Sequence, residues 1–385
     1  MYRNTYVEID TNVIENNIKN IIKKNSDYKY YIGVVKGNAY GHGIKFCKWI
    51  IKNGINYLAV STLDEALEIR DTVSKEIPIL ILQPVDLSYI DVCITNNITV
   101  TISSYEYYKE LKKKNIKGLK VHLKLNTGMN RLGISNEKEV SEIYNYLINS
   151  DIILEGIYTH IATLGILDKR FDNQVNRFLE LTKNIDLNKI KIVHLYSSNA
   201  FIIHPKLSWA NGVRLGIIMY GLAPRNINYH GINKLKVIRR NLKRKFLHLS
   251  EINNDFSIDV NTCLKLVSEV VEIHEVNGNE FVGYGSNYET VDKTKVAIIP
   301  VGYMDGLSLY NKGRNVYINN KEYEIIGVIN MGMITVKVDD KVKIGDRVEV
   351  IKDIRKEAAF TKTTPHQYLT SISPLLERKY LTKEK

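Results

Sequence analysis

Eight short apolar runs that alternate with helix-like segments constrain the fold of this chain more than any other feature. Turn residues bound most of the runs, as expected of strands buried in a parallel sheet. Helix-start signals lie between them at Asp10, at Ser104 and at the capping box of Thr62 and Glu65. This alternation predicts a (β/α)8 TIM-type barrel, and periodicity alone leaves a doubly wound open sheet as the alternative. The runs are Tyr30–Val35, Tyr57–Val60, Ile77–Leu82, Ile98–Ile102, Leu119–Leu125, Ile152–Tyr158, Ile192–Tyr196 and Val213–Leu215.

The character of the sequence changes after about Pro224. Residues 225–261 are mostly polar, basic and irregular, and we interpret 226–261 as a basic insertion or linker. From Leu264 onward, Gly, Asn and Asp separate short alternating runs that predict strands: Lys265–Glu275, Val296–Val301, Val316–Ile318, Tyr323–Val328, Ile334–Val338 and Arg347–Ile351. The predicted organisation is an α/β barrel over 1–225, whose first few residues are candidates for pairing with the β domain, and a mainly β domain over 262–385.

Composition narrows the classes of function. The net charge is +12, with one dense basic run between Lys234 and Lys245. No nucleic-acid-binding motif accompanies that run, so a solvated surface is favoured over a nucleic acid or an acidic partner. The three cysteines are scattered and odd in number, which argues against a disulfide framework and against a metal site. Because the sequence lacks an 18-residue apolar run and a signal-peptide core, we expect a cytoplasmic protein that is not inserted in a membrane.

The clearest chemical signal is a lysine at the end of the first barrel strand. Residues 34–43 read Val-Val-Lys-Gly-Asn-Ala-Tyr-Gly-His-Gly, so Lys36 ends an apolar strand and begins a glycine-rich turn. The carboxyl ends of the strands form the catalytic face of such a barrel. Apolar surroundings lower the pKa of a lysine and make it a nucleophile toward a carbonyl. A lone lysine at a strand end is usually a surface charge, so the whole segment carries the prediction.

This segment resembles the cofactor-lysine signature of the alanine racemases, apart from Gly37, where that family usually has alanine. The resemblance extends from Tyr6 to the region 371–378. It implies that Lys36 binds pyridoxal 5'-phosphate and that the chain interconverts L- and D-alanine, which supplies D-alanine for the cell wall. A racemase of another amino acid, serine first, is the alternative. An amino-acid decarboxylase of related fold and a non-catalytic cofactor carrier are more remote, because the former would not need a second base and the latter lacks a C-terminal β domain.

A second motif contains two cations that are expected to lie near the substrate. Residues 124–133 read Lys-Leu-Asn-Thr-Gly-Met-Asn-Arg-Leu-Gly and resemble the family segment that carries a modified lysine and an arginine. The resemblance implies that Lys124 is carbamylated and that the carbamate orients Arg131. Arg131 would then bind the substrate carboxylate or the cofactor's phenolic oxygen, as bidentate arginine chemistry allows. Asn126 replaces a common aspartate of the family.

Further matches assign residues to the cofactor's ring and phosphate. His160 and Arg214 match a hydrogen-bonded pair in which the arginine faces the pyridine nitrogen. Arginine does not release its proton, so the nitrogen would stay unprotonated and reprotonation at Cα would be favoured over transamination. Barrels often bind phosphate in the loops after strands 7 and 8. The phosphate contacts implied by the resemblance are Tyr40, Ser198, Gly216 and Ile217.

The β domain supplies the second base. Residues 282–288 resemble the family's second-base motif, with Tyr284 as the catalytic tyrosine. A racemase removes a proton from one face of Cα and returns one to the other, so Lys36 and Tyr284 would act on opposite faces. A free tyrosine has a pKa of about 10, so nearby cations and hydrogen bonds must favour the phenolate. In the family this tyrosine reaches the site of the other subunit, which implies a homodimer with shared sites. Tyr303 matches a tyrosine at the substrate entrance.

Departures from the family pattern concentrate near the expected substrate pocket. Val328, Asn330 and Gly332 replace an arginine, a cysteine and an acidic residue of the entrance motif. Met331 is kept, and its backbone N–H is expected to hold the substrate carboxylate. His366 stands where the family usually has a tyrosine that contacts the phosphate. Small residues here would admit a side chain larger or more polar than methyl, which is why serine is the first alternative substrate.

Overall fold

The computed structural model describes residues 3–223 and 234–382. Its contacts divide the chain into two compact units. The first unit, called the barrel unit below, contains Glu15–Lys36 and Ile44–Val260. The second unit contains Met1–Ile14, Gly37–Gly43 and Asn261–Lys385. The first strand, β1 (Tyr6–Asp10), belongs to the second unit. The predicted domain bounds, 1–225 for the barrel, 226–261 for the insertion or linker and 262–385 for the β domain, remain a prediction.

The first unit is built on a closed barrel of eight parallel strands. The last of them pairs with the first, with Ile32 opposite Arg214, and this closure excludes the open-sheet alternative. Each strand lies within, or within one residue of, one of the eight apolar runs, so the predicted barrel is confirmed. The strands are β2 (Tyr30–Val34), β3 (Tyr57–Val60), β4 (Ile79–Ile81), β5 (Ile98–Ile102), β6 (Lys120–Lys124), β7 (Ile153–Tyr158), β8 (Ile192–His194) and β9 (Gly212–Leu215).

Right-handed helices alternate with these strands, and the expected start signals are present. The carboxylate of Asp10 accepts from the backbone N–H groups of the next turn, and Thr62 and Glu65 form a reciprocal capping box. Ser104 caps the helix that follows β5. The helices are α1 (Thr11–Lys24), α2 (Phe46–Lys52), α3 (Leu63–Thr72), α4 (Ile90–Thr95), α5 (Tyr105–Lys112), α6 (Glu137–Ile148), α7 (Arg170–Leu181), α8 (Ser198–Ile203) and α9 (Lys234–Phe246).

Helix α9 differs from the irregular structure expected over 225–261. Arg244 is buried, and its guanidinium donates to the carbonyl oxygens of Gly165, Ile166 and Ser250. Arg240 lies over the ring of Phe256, 4.8 Å from its centroid. These two cations attach the helix to the barrel unit, so part of the basic run serves packing and not a solvated surface. Sequence periodicity missed the helix because arginines occupy its buried face.

The second unit contains a sheet of nine strands, which are β1 and eight strands that follow the barrel. The strands after the barrel are β10 (Leu264–Glu269), β11 (Glu272–Val276), β12 (Thr294–Ile299), β13 (Asn315–Ile318), β14 (Lys321–Ile326), β15 (Ile334–Lys337), β16 (Arg347–Ile351) and β17 (Glu377–Leu381). The order in the sheet is β11-β12-β15-β14-β13-β16-β10-β1-β17. Strand β1 pairs antiparallel with β10 and parallel with β17. Two short helices, α10 (Ile354–Phe360) and α11 (Pro365–Thr370), precede the last strand.

One predicted strand of this unit is in fact two. The run Lys265–Glu275 breaks at Val270 and Val271, whose N–H groups donate to Asp346 and Ile298 respectively. The chain changes partners there, from β16 to β12, which an apolar pattern does not encode. Within the two described ranges, no helix is long and apolar enough to cross a membrane.

Candidate active site

Lys36 lies two residues beyond the last residue of the buried strand β2, and its side chain is half-buried. Burial lowers the pKa of its amine, Arg131 lowers it further, and Glu65 opposes the shift. The next residues form a left-handed turn, with φ of 64° at Gly37, 53° at Asn38, 50° at Ala39 and 51° at Tyr40. Such a turn is unfavourable for residues with a side chain, and strain of this kind concentrates at functional sites. The lysine therefore has the environment that the sequence predicted for a nucleophile.

Lys124 lies at the end of β6, and its side chain is buried. Burial and the charges of Arg214, Arg131 and Lys36 lower the pKa of its amine to about 8. Burial, together with the charges of these cations and of Lys124, lowers the pKa of His160 to about 3. The His160 ring is therefore neutral at pH 7. The barrel unit thus gathers cations that repel one another. A site of this kind favours anionic ligands.

Arg214 is buried on β9, and backbone carbonyls fix its guanidinium. Nη2 donates to the oxygens of Thr159 at 2.7 Å and Leu195 at 3.0 Å, and Nη1 donates to that of His194 at 3.0 Å. The expected contact with His160 is long, 3.4 Å from Nη2 to Nδ1. A shorter one, 2.7 Å, joins Nη1 to Nδ1 of His194. The sequence analysis did not identify His194 as a partner of Arg214. Its position at the end of a predicted barrel strand could have indicated that it lies near the site.

The predicted phosphate contacts of the barrel lie together. Ser198 begins α8 after β8, and Gly216 and Ile217 follow β9. The backbone N–H of Gly216 donates to Oγ of Ser198 at 2.9 Å. All three residues are buried. Two loops at the carboxyl ends of neighbouring strands therefore place a hydroxyl and a backbone donor side by side.

The second unit holds the remaining predicted residues in two groups. Tyr40 is buried, which raises its pKa to about 12, and its ring centroid lies 5.9 Å from that of the exposed His366. Tyr303, Met331 and Tyr284 are exposed, the last by 76%. The N–H of Tyr303 donates to Asn330 at 3.0 Å, which holds the segments of Tyr303 and Met331 side by side. Tyr40 is thus a neighbour of His366, and the segment of Tyr303 is a neighbour of the segment of Met331.

A glycine opposite His122 makes room for a buried ring in the barrel. Gly156 pairs with His122 across β7 and β6, and a Cβ there would lie 2.6 Å from that ring. Gly156 lies outside the left-handed region, so alanine would itself stabilise by about 0.4–1 kcal/mol. Overpacking costs about 1–3 kcal/mol and outweighs this gain. We expect Gly156→Ala to lower the free energy of unfolding in urea by about 1–2 kcal/mol.

The matched control is Gly332→Ala, because the sulfur of Met304, at 3.5 Å, is the one atom of the described residues beyond its chain neighbours within 4 Å of a Cβ at Gly332. This control is expected to leave stability unchanged within about 0.5 kcal/mol. Equal stability for Gly156→Ala and the wild type would show that the His122 ring moves aside at no cost. That result would contradict the fixed position of the ring.

The barrel with a half-buried lysine and an arginine at its carboxyl end, together with a β unit that carries the tyrosine motif, defines an amino-acid racemase. Family models agree: the alanine racemase N-terminal domain matches residues 9–224 and the C-terminal domain matches 263–380. The chain belongs to the alanine racemase family. Because both models match, the decarboxylase and carrier alternatives are not supported. The basic stretch lies between the two matched ranges.

Relatives cover nearly the whole chain. Alanine racemase from Staphylococcus saprophyticus is 32% identical over 96% of this chain and 91% of that protein. A crystal structure of alanine racemase from Bacillus anthracis with bound L-Ala-P is 30% identical, with a TM-score of 0.80 over 97% of this chain and 94% of that one. Histidine racemase from Leuconostoc mesenteroides has a TM-score of 0.82 over 99% and 98% of the two chains. At 22% identity, this last likeness shows the fold alone.

Proposed function

We propose that this chain interconverts L- and D-alanine with pyridoxal 5'-phosphate carried on Lys36. The observation that carries the proposal is a half-buried lysine with a lowered pKa among mutually repelling cations. A phosphate dianion and a substrate carboxylate are the anions that would balance such a cluster. A neutral amine fraction on Lys36 is what attack on an aldehyde requires. The residues present therefore fit the cofactor.

The residues that would hold the cofactor divide by role. Arg214 would donate to the ring nitrogen, with His160 beside it. The phosphate would be held by Ser198 and by the backbone N–H groups of Gly216 and Ile217. The family resemblance implies Tyr40 and His366 as further phosphate contacts. Pyridoxal 5'-phosphate supplies an electron sink for the charge left on Cα. Arg214 keeps its own proton, since burial lowers its pKa only to about 10, and so it would leave the ring nitrogen unprotonated.

Two bases would move the protons. Lys36 would serve one face of Cα and Tyr284 the other. Arg131 and the backbone N–H of Met331 would hold the substrate carboxylate, and Tyr303 would line the entrance. Tyr284, Tyr303 and Met331 have exposed side chains in the single chain. We propose that they complete the site of a second copy, which makes the functional unit a homodimer.

The decisive test incubates the protein with pyridoxal phosphate and each L-amino acid separately. Chiral chromatography then quantifies the D-enantiomer, with Lys36→Ala as the control. Fast D-alanine formation that depends on Lys36 is the expected result. No D-product from any amino acid, despite a bound cofactor, would overturn the proposal. The cell-wall use of D-alanine and the cytoplasmic location remain predictions.

Serine is the second candidate substrate. The space at Gly332 favours it, because, apart from its chain neighbours, a single side-chain atom of the described residues lies within 4 Å of the position a Cβ would take there. A higher rate with L-serine than with L-alanine would move the substrate and keep the mechanism. In that case, Gly332→Asp and His366→Tyr would be the first substitutions expected to restore preference for alanine.

Lys124 is expected to react with carbon dioxide. Its neutral amine attacks the carbon, an N–C bond forms, one C=O π bond opens to leave a negative charge on the carbamate oxygens, and one amine proton leaves to solvent. Because its pKa is about 8, the reactive neutral form increases as pH rises through that value. We expect a ¹³C carbamate resonance from labelled bicarbonate that grows with pH and disappears in Lys124→Ala. A wild-type sample without this resonance above pH 8 would show that the lysine is unmodified.

A further inference from the structure

A row of buried polar side chains crosses the barrel interior beneath Arg214. They project from four successive strands: His122 from β6, Glu155 from β7, His194 from β8 and Arg214 from β9. Nδ1 of His194 lies 2.7 Å from Nη1 of Arg214, and its Nε2 lies 2.9 Å from Nδ1 of His122. Nε2 of His122 faces Oε2 of Glu155 at 3.5 Å. All four residues are at most 3% exposed.

The donors and acceptors in this row leave one arrangement of protons. Arginine only donates, so Nδ1 of His194 must be bare and its proton must lie on Nε2. That proton points at Nδ1 of His122, which must then be bare in turn. The proton of His122 therefore lies on Nε2, facing the carboxylate. A doubly protonated His122 or His194 would set two donors against each other, and burial lowers the pKa of both rings.

Glu155 fixes the end of the row. Its Oε2 accepts from Tyr57 at 2.7 Å and Thr99 at 3.0 Å, and its Oε1 accepts from the half-exposed Lys191 at 2.7 Å. Burial alone would raise the pKa of this carboxyl, but the facing His122 ring and hydrogen bonds from Lys191 and Tyr57 hold that pKa below its usual range. The anchor is therefore an ionised carboxylate. A buried charge with this many partners is costly to build and is retained where it sets the orientation of other groups.

We propose that Glu155, His122 and His194 are a positioning relay that fixes the direction and the donor role of Arg214. The relay rests on the proposed function in one respect, the ring nitrogen toward which Arg214 would point. Nδ1 of His194 accepts a hydrogen bond from the guanidinium of Arg214 and cannot donate one. This bond therefore keeps the guanidinium turned toward the backbone carbonyls that hold it. The relay itself moves no proton during turnover. Glu155 and the two histidines are positioning residues and touch neither substrate nor cofactor.

The first test needs neither cofactor nor turnover. Long-range ¹H–¹⁵N spectra of histidine-labelled, cofactor-free protein report which ring nitrogen carries the proton. His122→Gln and His194→Gln identify the two rings. The expected result is a bare Nδ1 and a protonated Nε2 on both histidines across neutral pH. A proton on Nδ1 of either ring, or a cationic ring, would overturn the relay whether or not the protein is a racemase.

The second test separates positioning from a loss of structure. Glu155→Gln keeps the shape of the side chain and removes the charge. We expect the ratio of pyruvate release by transamination to alanine racemisation to rise roughly 10-fold to 100-fold, the range typical of orienting partners behind a direct ligand. A structural lesion would lower both rates together and leave the ratio unchanged, which would contradict the proposal. Glu349→Gln, an ion-paired carboxylate of the second unit, is the matched control.

Folding failure of Glu155→Gln would leave the proposal testable through the wild-type spectrum, which requires no variant. Lys191→Met is a milder perturbation than Glu155→Gln. It removes the half-exposed amine that pairs with Oε1 of Glu155 and keeps the carboxylate itself. It is expected to raise the same ratio by a smaller factor. A wild-type protein that shows the expected ring protons but forms no D-alanine would reject the proposed function and leave the relay standing.

Discussion

Replacing Lys36 with alanine is expected to lower the rate of alanine racemisation by at least about 10⁴-fold, because one residue supplies both the covalent attachment and a base. Either role alone accounts for a large part of that loss. The position supports the expectation, because Lys36 lies two residues beyond a buried strand and burial lowers its pKa. The measurement is D-alanine formation by chiral chromatography at saturating cofactor. The absorbance of the cofactor–lysine bond should vanish in the same sample.

Lys29→Ala is the matched control. Lys29 immediately precedes the same strand, and its side chain is exposed. Its loss is expected to change stability by less than about 0.5 kcal/mol and to leave activity intact. Racemisation by Lys36→Ala at a tenth of the wild-type rate or more would be incompatible with both assigned roles. A folded but inactive Lys29→Ala would show that the loss of activity in Lys36→Ala is not specific to that lysine.

The barrel could be predicted because its information is local. Each of the eight strands is a short apolar run, and the signals at Asp10, Thr62 and Ser104 lie within four residues of the N–H groups that they cap. Turn residues between the runs fixed the alternation. The same local information located Lys36 at a strand end, because that prediction needs only the boundary of one strand.

The remaining features depend on long-range contacts. Helix α9 is attached by Arg244 to carbonyl oxygens almost 80 residues away, and its sequence looks like a solvated basic run. The break at Val270 reflects a change of strand partner. Strand β17 pairs with β1 from the opposite end of the chain. None of these contacts leaves a periodic trace in the sequence.

The site shows the same division. Some of the residues assigned from motifs are neighbours, such as Tyr40 and His366, whereas the residues that support Arg214 went unnoticed. His194, His122 and Glu155 project from three different strands, and their relation appears only when the barrel closes. Gly156 was likewise unremarkable in sequence, although its missing side chain leaves room for the His122 ring. The residues expected to contact cofactor or substrate lie in recognisable sequence motifs. The residues that support them come together only through the topology of the barrel.

Tyr284→Phe is expected to lower racemisation by about 10²-fold to 10⁴-fold, the usual contribution of a positioned base. Because L- and D-alanine have equal free energies, kcat/KM must fall by the same factor in both directions. Exchange of the Cα hydrogen with solvent is different, since Lys36 still serves its own face. In deuterated water, one enantiomer should continue to exchange and the other should stop. Tyr310→Phe is the control, because Tyr310 is equally exposed, by 76%.

Mixed dimers then determine which subunit provides the tyrosine. If Tyr284 completes the site of a second copy, a dimer of Lys36→Ala and Tyr284→Phe chains has one site with both bases. Random mixing makes half of the dimers mixed, so co-refolded protein should recover about a quarter of the wild-type activity from two nearly inactive parents. If lysine and tyrosine act within one chain, every site lacks a base and no activity returns. Recovery would establish the shared site, and its absence would require each chain to work alone.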